Sequence, residues 1–229
     1  MYNPSVESPP RPPDHRPAAR ATGAAGVLAV CSVLLLAVVV AEWRPLMTLD
    51  GDVARTAHRW AVDEPGLTHA FRILTDWVWD PWTMRLATAL TVVWLVWRRS
   101  ARWTAYWLAT AVALGSVLQQ ALKAAVDRPR PVWPDPVDSA RYAAFPSGHA
   151  MTATIVCGLL LWLVHHYGAG RALRLTALWV AVVSVTGVGV TRVWLGVHWP
   201  SDVLGGWLLG ATLVAVAVVV HQRWGPERD

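Results

Sequence analysis

A polar segment in the middle of the 229-residue chain holds two cations at a spacing that suits phosphate binding. Lys123 and Arg130 are seven residues apart, which is two turns of an α-helix, so their side chains can lie on one face. Pro129 and Pro131 must break that helix close to Arg130. The two cations are therefore expected to converge at the end of a helix.

The tripeptide Ser147-Gly148-His149 follows this segment and opens a long apolar stretch. Pro146 disfavours a helical conformation for the residue before it, so a helix is expected to begin near this point. The unpaired backbone N–H groups of a helix start bind anions, and Gly148 lets a ligand approach the backbone closely. Arg192, at the end of a later apolar stretch, adds a planar guanidinium group that suits phosphate oxygens.

A histidine and a carboxylate complete the set, because His198 precedes Asp202 by four residues at the start of the last apolar stretch. Asp202 can accept a hydrogen bond from one imidazole nitrogen, which fixes the tautomer and leaves the other nitrogen free as a nucleophile. His149 can protonate the leaving oxygen and then activate water. Taken singly, each of these residues also fits a lipid-headgroup contact or a surface pair. The combination favours one site for phosphoryl transfer.

The same residues argue against a metal centre or a bound cofactor. The carboxylates near the site, Asp127, Asp135, Asp138 and Asp202, lack the clustered spacing of a magnesium or calcium site. The two histidines are far apart and have no cysteine near them, which makes a poor zinc set. Three cations and a helix start can neutralise a phosphate instead.

Apolar helices must position these residues, because the chain is 55% hydrophobic and only 15% charged. Soluble domains have about 45–50% apolar and about 25% charged residues, and an α-helix needs about 20 apolar residues to cross a bilayer. This composition excludes a soluble globular enzyme, a disordered chain and a secreted disulfide scaffold, and Cys31 and Cys157 are expected to be buried thiols. The predicted fold is an all-α integral membrane protein, a bundle of six transmembrane helices. The expected spans are 21–41, 84–98, 103–122, 149–167, 174–194 and 201–222.

The segments outside the spans differ in character. Residues 1–20 contain six prolines and are predicted to be a disordered cytoplasmic tail, residues 21–222 to form the membrane domain, and residues 223–229 to form a second short tail. Residues 42–84 are mixed, with apolar positions such as Leu67, Phe71, Leu74 and Trp77 at helical intervals. This pattern is typical of an amphipathic helix on a membrane surface, here placed before the second span.

Six spans put both termini on one side of the membrane, and the placement of the basic residues suggests which side. The twenty basic residues divide equally between the two sides, but on the terminal side they crowd into short segments beside helix ends. The positive-inside rule applies to such segments, so the termini are expected in the cytoplasm. The connectors 123–148 and 192–201, which carry the candidate site, are then expected to face outward from a bacterial inner membrane.

Three motifs of the chain resemble the signatures of the type 2 phosphatidic acid phosphatases, in order and in spacing. They are Lys123-x6-Arg130-Pro131, Pro146-Ser147-Gly148-His149 and Thr191-Arg192-x5-His198-x3-Asp202. The resemblance implies a metal-independent lipid phosphatase that forms a phosphohistidine at His198, with Asp202 as its orienting carboxylate and His149 as acid and base. It implies that Lys123, Arg130, Ser147, Gly148 and Arg192 hold the phosphate. The chain departs from the pattern at Thr191, where serine is usual. Arg128 lies outside the pattern and is a candidate contact for a second phosphate.

The expected function is hydrolysis of a lipid-linked phosphate or pyrophosphate at the outer membrane face. The resemblance implies polyprenyl pyrophosphate, phosphatidic acid or phosphatidylglycerol phosphate as substrates, and membrane lipids as partners. A formal charge of +5 suits anionic headgroups, and a chain with so little solvated surface is not expected to bind nucleic acid. Two alternatives remain open: a transferase of the same family, and a transporter or flippase that binds lipid phosphate without cleaving it. A transporter is expected to show charge within its spans or inverted repeats.

Overall fold

The computed structural model describes residues 16–225, with side chains from residue 21, and this part of the chain is helical without strands. The helices are α1 (Arg16–Val40), α2 (Arg44–Asp63), α3 (Pro65–Ile73), α4 (Pro81–Arg99), α5 (Arg102–Val126), α6 (Gly148–His166), α7 (Arg171–Trp194) and α8 (Pro200–Trp224), with a π-helical turn at Leu74–Val78. The predicted tails lie outside the described residues at 1–15 and 226–229. The first helix already begins at Arg16.

Five helices are long and apolar enough to cross a membrane, namely α1 from residue 21, α5, α6, α7 and α8. At 1.5 Å per residue, their 19 to 25 residues match a hydrocarbon core of about 30 Å. Helix α4 occupies the expected second span, but it is not one of the five, and its 19 residues include Arg85, Arg98 and Arg99. The described part of the chain, residues 16–225, is therefore all-helical and has five candidate membrane spans.

Helix α6 lies at the centre of the bundle and packs against α4, α5, α7 and α8. Glycines of α8 let that helix approach the start of α6 closely. A Cβ atom at Gly206 would lie 2.8 Å from the Ser147 carbonyl oxygen, and one at Gly210 would lie 3.0 Å from the Met151 carbonyl oxygen. Small residues four apart permit such close contact between membrane helices. The two glycines thus fix the start of α6 against the first turns of α8.

The segment that was expected to hold one amphipathic surface helix holds two helices and the π-helical turn. Pro65 lacks a backbone N–H group and has a fixed φ angle, so it ends α2 and begins α3 as its first residue. Helix α2 packs against α7 and α8. The ring of Trp194 in α7 lies between Trp60 of α2, at 6.3 Å, and Phe71 of α3, at 5.4 Å between centroids.

The chain direction brings five helix ends together at one end of the bundle, where α5 and α7 end and α4, α6 and α8 begin. Helix α5 ends where Asp127 adopts a left-handed conformation with φ 44°, and an irregular connector without helix then runs to Ser147. The arginine-rich connectors at residues 98–102 and 171–174 lie at the opposite helix ends. The predicted site residues and these arginines are thus separated by the length of the bundle.

Candidate active site

A cavity of about 460 Å³ opens between these five helix ends. Six of the eight predicted site residues line it, namely Lys123, Arg130, Gly148, His149, Arg192 and His198. The other two, Ser147 and Asp202, have no exposed surface and do not line it. The structure therefore brings residues from three separate motifs to one place.

His198 lies at the wall of this cavity and is only 2% exposed. Its Nδ1 atom is 3.3 Å from Oδ2 of Asp202, and its Nε2 atom is 3.2 Å from Nη1 of Arg130. This geometry fits a tautomer in which Nδ1–H donates to Asp202 and the Nε2 lone pair accepts from Arg130. Burial, together with Arg130, Arg192 and Lys123, lowers the pKa of His198 well below its ordinary value. The imidazole is thus neutral near pH 7.

Asp202 is fixed by the start of α8 as well as by His198. Its Oδ2 atom also accepts a hydrogen bond from the backbone N–H of Trp199, at 2.8 Å, and so caps the helix that begins at Pro200. A carboxylate in the first turn of a helix is stabilised by the unpaired amides and by the helix dipole. The helix start therefore holds the carboxylate in the position from which it meets the imidazole.

Backbone carbonyl groups of the connectors hold the two cations of the first motif. Arg130 donates from Nε to the Tyr142 carbonyl at 2.8 Å and from Nη1 to the Val197 carbonyl at 2.5 Å, and Lys123 donates to the Ala143 carbonyl. Burial lowers the pKa of Arg130. Carbonyl oxygens orient a cation without neutralising it, so both positive charges remain available to an anion in the cavity.

Two buried polar atoms of the predicted site have no hydrogen-bond partner among the described residues: Oγ of Ser147 and Nε of Arg192. Arg192 is 4% exposed and lines the cavity. A buried polar group without a partner costs about 1–3 kcal/mol, so such groups are rare unless a ligand satisfies them. The side chain of Ser147 does not cap α6, although the residue stands in the capping position. The Nε atom of Arg192 is therefore suited to donate to an anion in the cavity, whereas the Ser147 hydroxyl lies beside the cavity, next to Gly148.

The start of α6 adds backbone donors at the cavity. An α-helix leaves its first amides without a partner in the helix, and here Gly148 and His149 at that start line the cavity. A Cβ atom at residue 148 would lie 2.7 Å from Nε2 of Gln119, so glycine lets the Gln119 side chain, which also lines the cavity, lie against the helix start. These features fit the anion site that was predicted there.

His149 also has a carboxylate near it, which sequence spacing did not reveal. Its Nε2 atom is 3.9 Å from Oδ2 of Asp80, whose other oxygen caps α4 by accepting from the N–H of Trp82 at 2.7 Å. The signal in the sequence was Asp80-Pro81, a cap followed by proline at the start of a helix. That signal marks the helix start, but it does not show that α4 lies beside α6.

The cavity also contains charged residues that the three motifs do not include. Arg85 lies over the ring of Trp82, with Cζ 5.3 Å from its centroid, and Arg141, Asp76 and Asp138 line the same wall. Burial and the neighbouring charge of Asp138 raise the pKa of Asp76. These side chains line the cavity next to the predicted phosphate-binding residues.

One expectation from the sequence differs from the structure, and the structure also shows what the threonine at position 191 does. Arg128 does not line the cavity, because its guanidinium group pairs with Asp202 and with Asp50, and the expected contact with a second phosphate is therefore wrong. Thr191 is 1% exposed, and its hydroxyl donates to the Val188 carbonyl at 2.9 Å. The hydroxyl at this position therefore serves its own helix and does not reach the cavity.

No group of three or more histidine, cysteine, aspartate or glutamate side chains among residues 21–225 is arranged to hold a metal ion. The donors that line the cavity are mainly cations and backbone amides, which suit an anion. The cavity can therefore hold a phosphoryl group beside an imidazole that is oriented and neutral.

Comparisons with known proteins found phosphatases that are similar in sequence to this chain. The chain is 36% identical over 99 residues to phosphatidylglycerophosphatase B of Bacillus subtilis strain 168, covering 42% of this chain and 48% of that protein. It is 41% identical over 98 residues to decaprenylphosphoryl-5-phosphoribose phosphatase of Mycobacterium tuberculosis strain H37Rv, covering 42% and 49%. The aligned region of this chain thus spans about half the length of each of these curated relatives.

A solved structure and a family model extend the likeness. The crystal structure of a transmembrane PAP2 type phosphatidylglycerolphosphate phosphatase from Bacillus subtilis matches with a TM-score of 0.78 and 23% identity, over 88% of this chain and 97% of that one. This match shows a shared fold. The model of the PAP2 superfamily matches residues 104–226, just over half of the 229 residues. The chain with this cavity is therefore a member of the PAP2 superfamily.

Proposed function

We propose that the protein hydrolyses a lipid-linked phosphate or pyrophosphate through a phosphohistidine at His198. The observation that carries the proposal is the placement of the His198 ring, with Nδ1 on the Asp202 carboxylate and Nε2 beside Arg130 at the cavity wall. An imidazole held in this way presents a lone pair to a phosphorus atom in the cavity. The predicted phosphate-binding residues surround the same space.

The relatives support a lipid as the carrier of the phosphate. Their names refer to phosphatidylglycerophosphate, decaprenylphosphoryl-5-phosphoribose and undecaprenyl diphosphate. All three are anionic headgroups on apolar tails. A cavity at one end of a bundle of apolar helices suits such molecules, because the tail can stay beside the helices while the phosphate enters the cavity.

In the first step, Nε2 of His198 attacks phosphorus, and the bond from phosphorus to the lipid oxygen breaks. Arg130 moves its hydrogen bond from Nε2 to a phosphate oxygen, which frees the lone pair for attack. His149 gives a proton to the leaving oxygen, and Asp202 stabilises the positive charge that develops on the imidazole. Lys123 and Arg192 stabilise the charge on the phosphoryl oxygens.

In the second step, water replaces the imidazole on phosphorus. His149, now without its proton, takes a proton from the water as the oxygen attacks. The bond between phosphorus and Nε2 of His198 breaks, and inorganic phosphate leaves. The histidine pair has then returned to its starting state. Three cations and the α6 amides supply the positive charge, so we expect no metal ion to be required.

We further propose that α4 is a sixth span and that α2 and α3 lie along the outer surface of a bacterial inner membrane, with the cavity outside. Helix α4 has 19 residues and packs along α5 and α6, both of which are candidate spans. Arginines crowd at the opposite helix ends, at residues 98–102 and 171–174. The positive-inside rule favours a cytoplasmic position for these ends.

The experiment that tests the function is phosphate release from a panel of lipid phosphates by purified protein in detergent. The panel contains phosphatidic acid, phosphatidylglycerol phosphate and a polyprenyl pyrophosphate. We expect release from at least one substrate in excess EDTA, and inhibition by vanadate. Loss of activity on chelation that magnesium or zinc restores would contradict the proposed mechanism. Binding of lipid phosphate without phosphate release would favour the transporter, and transfer to an alcohol in place of water would favour the transferase.

A further inference from the structure

A chain of buried charged groups runs from His198 to helix α2, on the side of the histidine away from the cavity. Nη1 of Arg128 donates to Oδ1 of Asp202 at 2.6 Å, and Nη2 of Arg128 donates to Oδ2 of Asp50 at 2.8 Å. Asp50 is 1% exposed, Arg128 is 9% exposed and Asp202 is fully buried. One guanidinium group thus joins the orienting carboxylate of the site to a carboxylate that comes from α2.

The structure holds Asp50 in place through both of its carboxylate oxygens. Oδ1 accepts from the backbone N–H of Ser201 at 2.9 Å, and Oδ2 accepts from the Ser201 hydroxyl as well as from Arg128. Asp52, two residues further along α2, is 62% exposed and pairs only with Arg55 on its own helix. Of these two aspartates, Asp50 is therefore the one that is built into the interior.

The charges of Asp50 and Arg128 determine how much of the negative charge of Asp202 is available to stabilise the imidazole of His198. Arg128 carries one positive charge and shares it between two carboxylates, so Asp202 keeps part of its negative charge for His198. Without the charge of Asp50, Arg128 would pair with Asp202 alone, at 2.6 Å in a buried place where such attraction is strong. The imidazole would then lose the charge that stabilises it as it bonds to phosphorus.

We infer that Asp50 and Arg128 are positioning residues for the nucleophile: Asp50 acts through Arg128 to set the orientation and the free negative charge of Asp202. This inference rests on the proposed function, in which His198 attacks phosphorus. It also gives α2 a part in catalysis. The helix holds the far end of the hydrogen-bond chain that begins at the imidazole.

The first test is Asp50→Asn, assayed by phosphate release from the best substrate of the panel. We expect kcat to fall about 10- to 100-fold, as for residues that orient a metal-binding histidine. KM should stay within about twofold, because Asp50 touches none of the residues that line the phosphate cavity except through Asp202. Asp52→Asn is the matched control on the same helix, and it should leave both constants unchanged.

A rescue experiment separates a charge effect from a loss of packing. A separate cavity of about 320 Å³ lies beside Asp50 and Arg128, so Asp50→Glu has room for its extra methylene group and should retain at least about a tenth of the wild-type kcat. The double variant Asp50→Asn with Arg128→Gln removes both charges. It should be more active than Asp50→Asn alone, because no unbalanced cation then competes with His198 for Asp202.

The outcomes distinguish this inference from the proposed function. A wild-type protein that releases phosphate, together with an Asp50→Asn variant of unchanged kcat, would overturn the inference alone. So would a double variant that is no more active than Asp50→Asn, because a purely structural pair predicts that result.

If Asp50→Asn does not elute as a monodisperse protein, Arg128→Lys is measured in its place. This variant keeps the positive charge but loses the planar guanidinium group that donates to two carboxylates. An unchanged kcat in that variant would overturn the inference. A wild-type protein that releases phosphate from no lipid would contradict the proposed function itself.

Discussion

Removing the Ser147 hydroxyl should make the protein more stable and less active. In the free protein the Oγ atom of Ser147 is fully buried and has no hydrogen-bond partner among the described residues. Such an atom costs about 1–3 kcal/mol, and Ser147→Ala removes that cost while leaving only a small void. We expect the free energy of unfolding to rise by about 1 kcal/mol, which corresponds to a Tm increase of about 2–4 °C.

The effect on catalysis should have the opposite sign. If Ser147 donates to the phosphate, the lost hydrogen bond to a charged group is worth about 1.5–3 kcal/mol, and kcat/KM should fall about 10- to 100-fold. Thr75 is a suitable control, because its buried Oγ1 atom also lacks a partner among the described residues but the residue belongs to none of the three predicted site motifs. Thr75→Val should raise Tm without a change in kcat/KM.

Two measurements on detergent-purified protein check this prediction: thermal unfolding without substrate, and phosphate release over a range of substrate concentrations. A lower Tm for Ser147→Ala would show that the hydroxyl has a partner in the free protein, such as an ordered water molecule. A higher Tm with unchanged kcat/KM would show that the hydroxyl does not contact the phosphate. The first result would refute the unpaired state of the hydroxyl, and the second would refute the assignment of Ser147 as a phosphate ligand.

Three further predictions concern the histidines, the pH dependence and the topology. His198→Ala should abolish both turnover and formation of the phosphoenzyme. His149→Ala should slow turnover about 10²- to 10⁴-fold and, with a substrate that has a good leaving group, should accumulate acid-labile phosphohistidine. Rapid quench with labelled substrate measures the phosphohistidine, and turnover by His198→Ala would contradict the assigned roles. Because burial and three cations lower the pKa of His198, the rate of wild-type phosphoenzyme formation from such a substrate should not be half-maximal at pH 6.5, the ordinary pKa of histidine, and a half-maximal rate at that pH would contradict a lowered pKa. In a variant without the two native cysteines, Ser139→Cys should react with an impermeant thiol reagent in intact cells, and Ser100→Cys should not. Both positions are exposed, so the reverse pattern of labelling would invert the proposed topology.

Helix positions in this protein were predictable because apolar length is a local property of the chain. The stretches expected at 149–167 and 201–222 correspond to α6 and α8, with bounds that differ by one or two residues. Their ends were predictable too, because proline and the Ser147-Gly148 pair mark helix starts in the sequence itself. Residues 42–84 were harder to predict. Their apolar periodicity alone predicts one amphipathic helix, but Pro65 divides the segment into α2 and α3.

The residue types and spacings by themselves predicted eight site residues and grouped them as anion ligands, a nucleophile with its carboxylate, and a second histidine. Six of these line one cavity and the other two lie beside its walls, because each motif stands at a helix end and the helices alternate in direction. Only the tertiary structure decided which distant charges meet them. Asp50 and Asp52 look alike in sequence, but α2 turns one towards Arg128 and the other towards solvent. Arg128 and Asp80 likewise acquired their partners from packing between helices, since an ion pair depends on the distance between side chains in space and not on their separation along the chain.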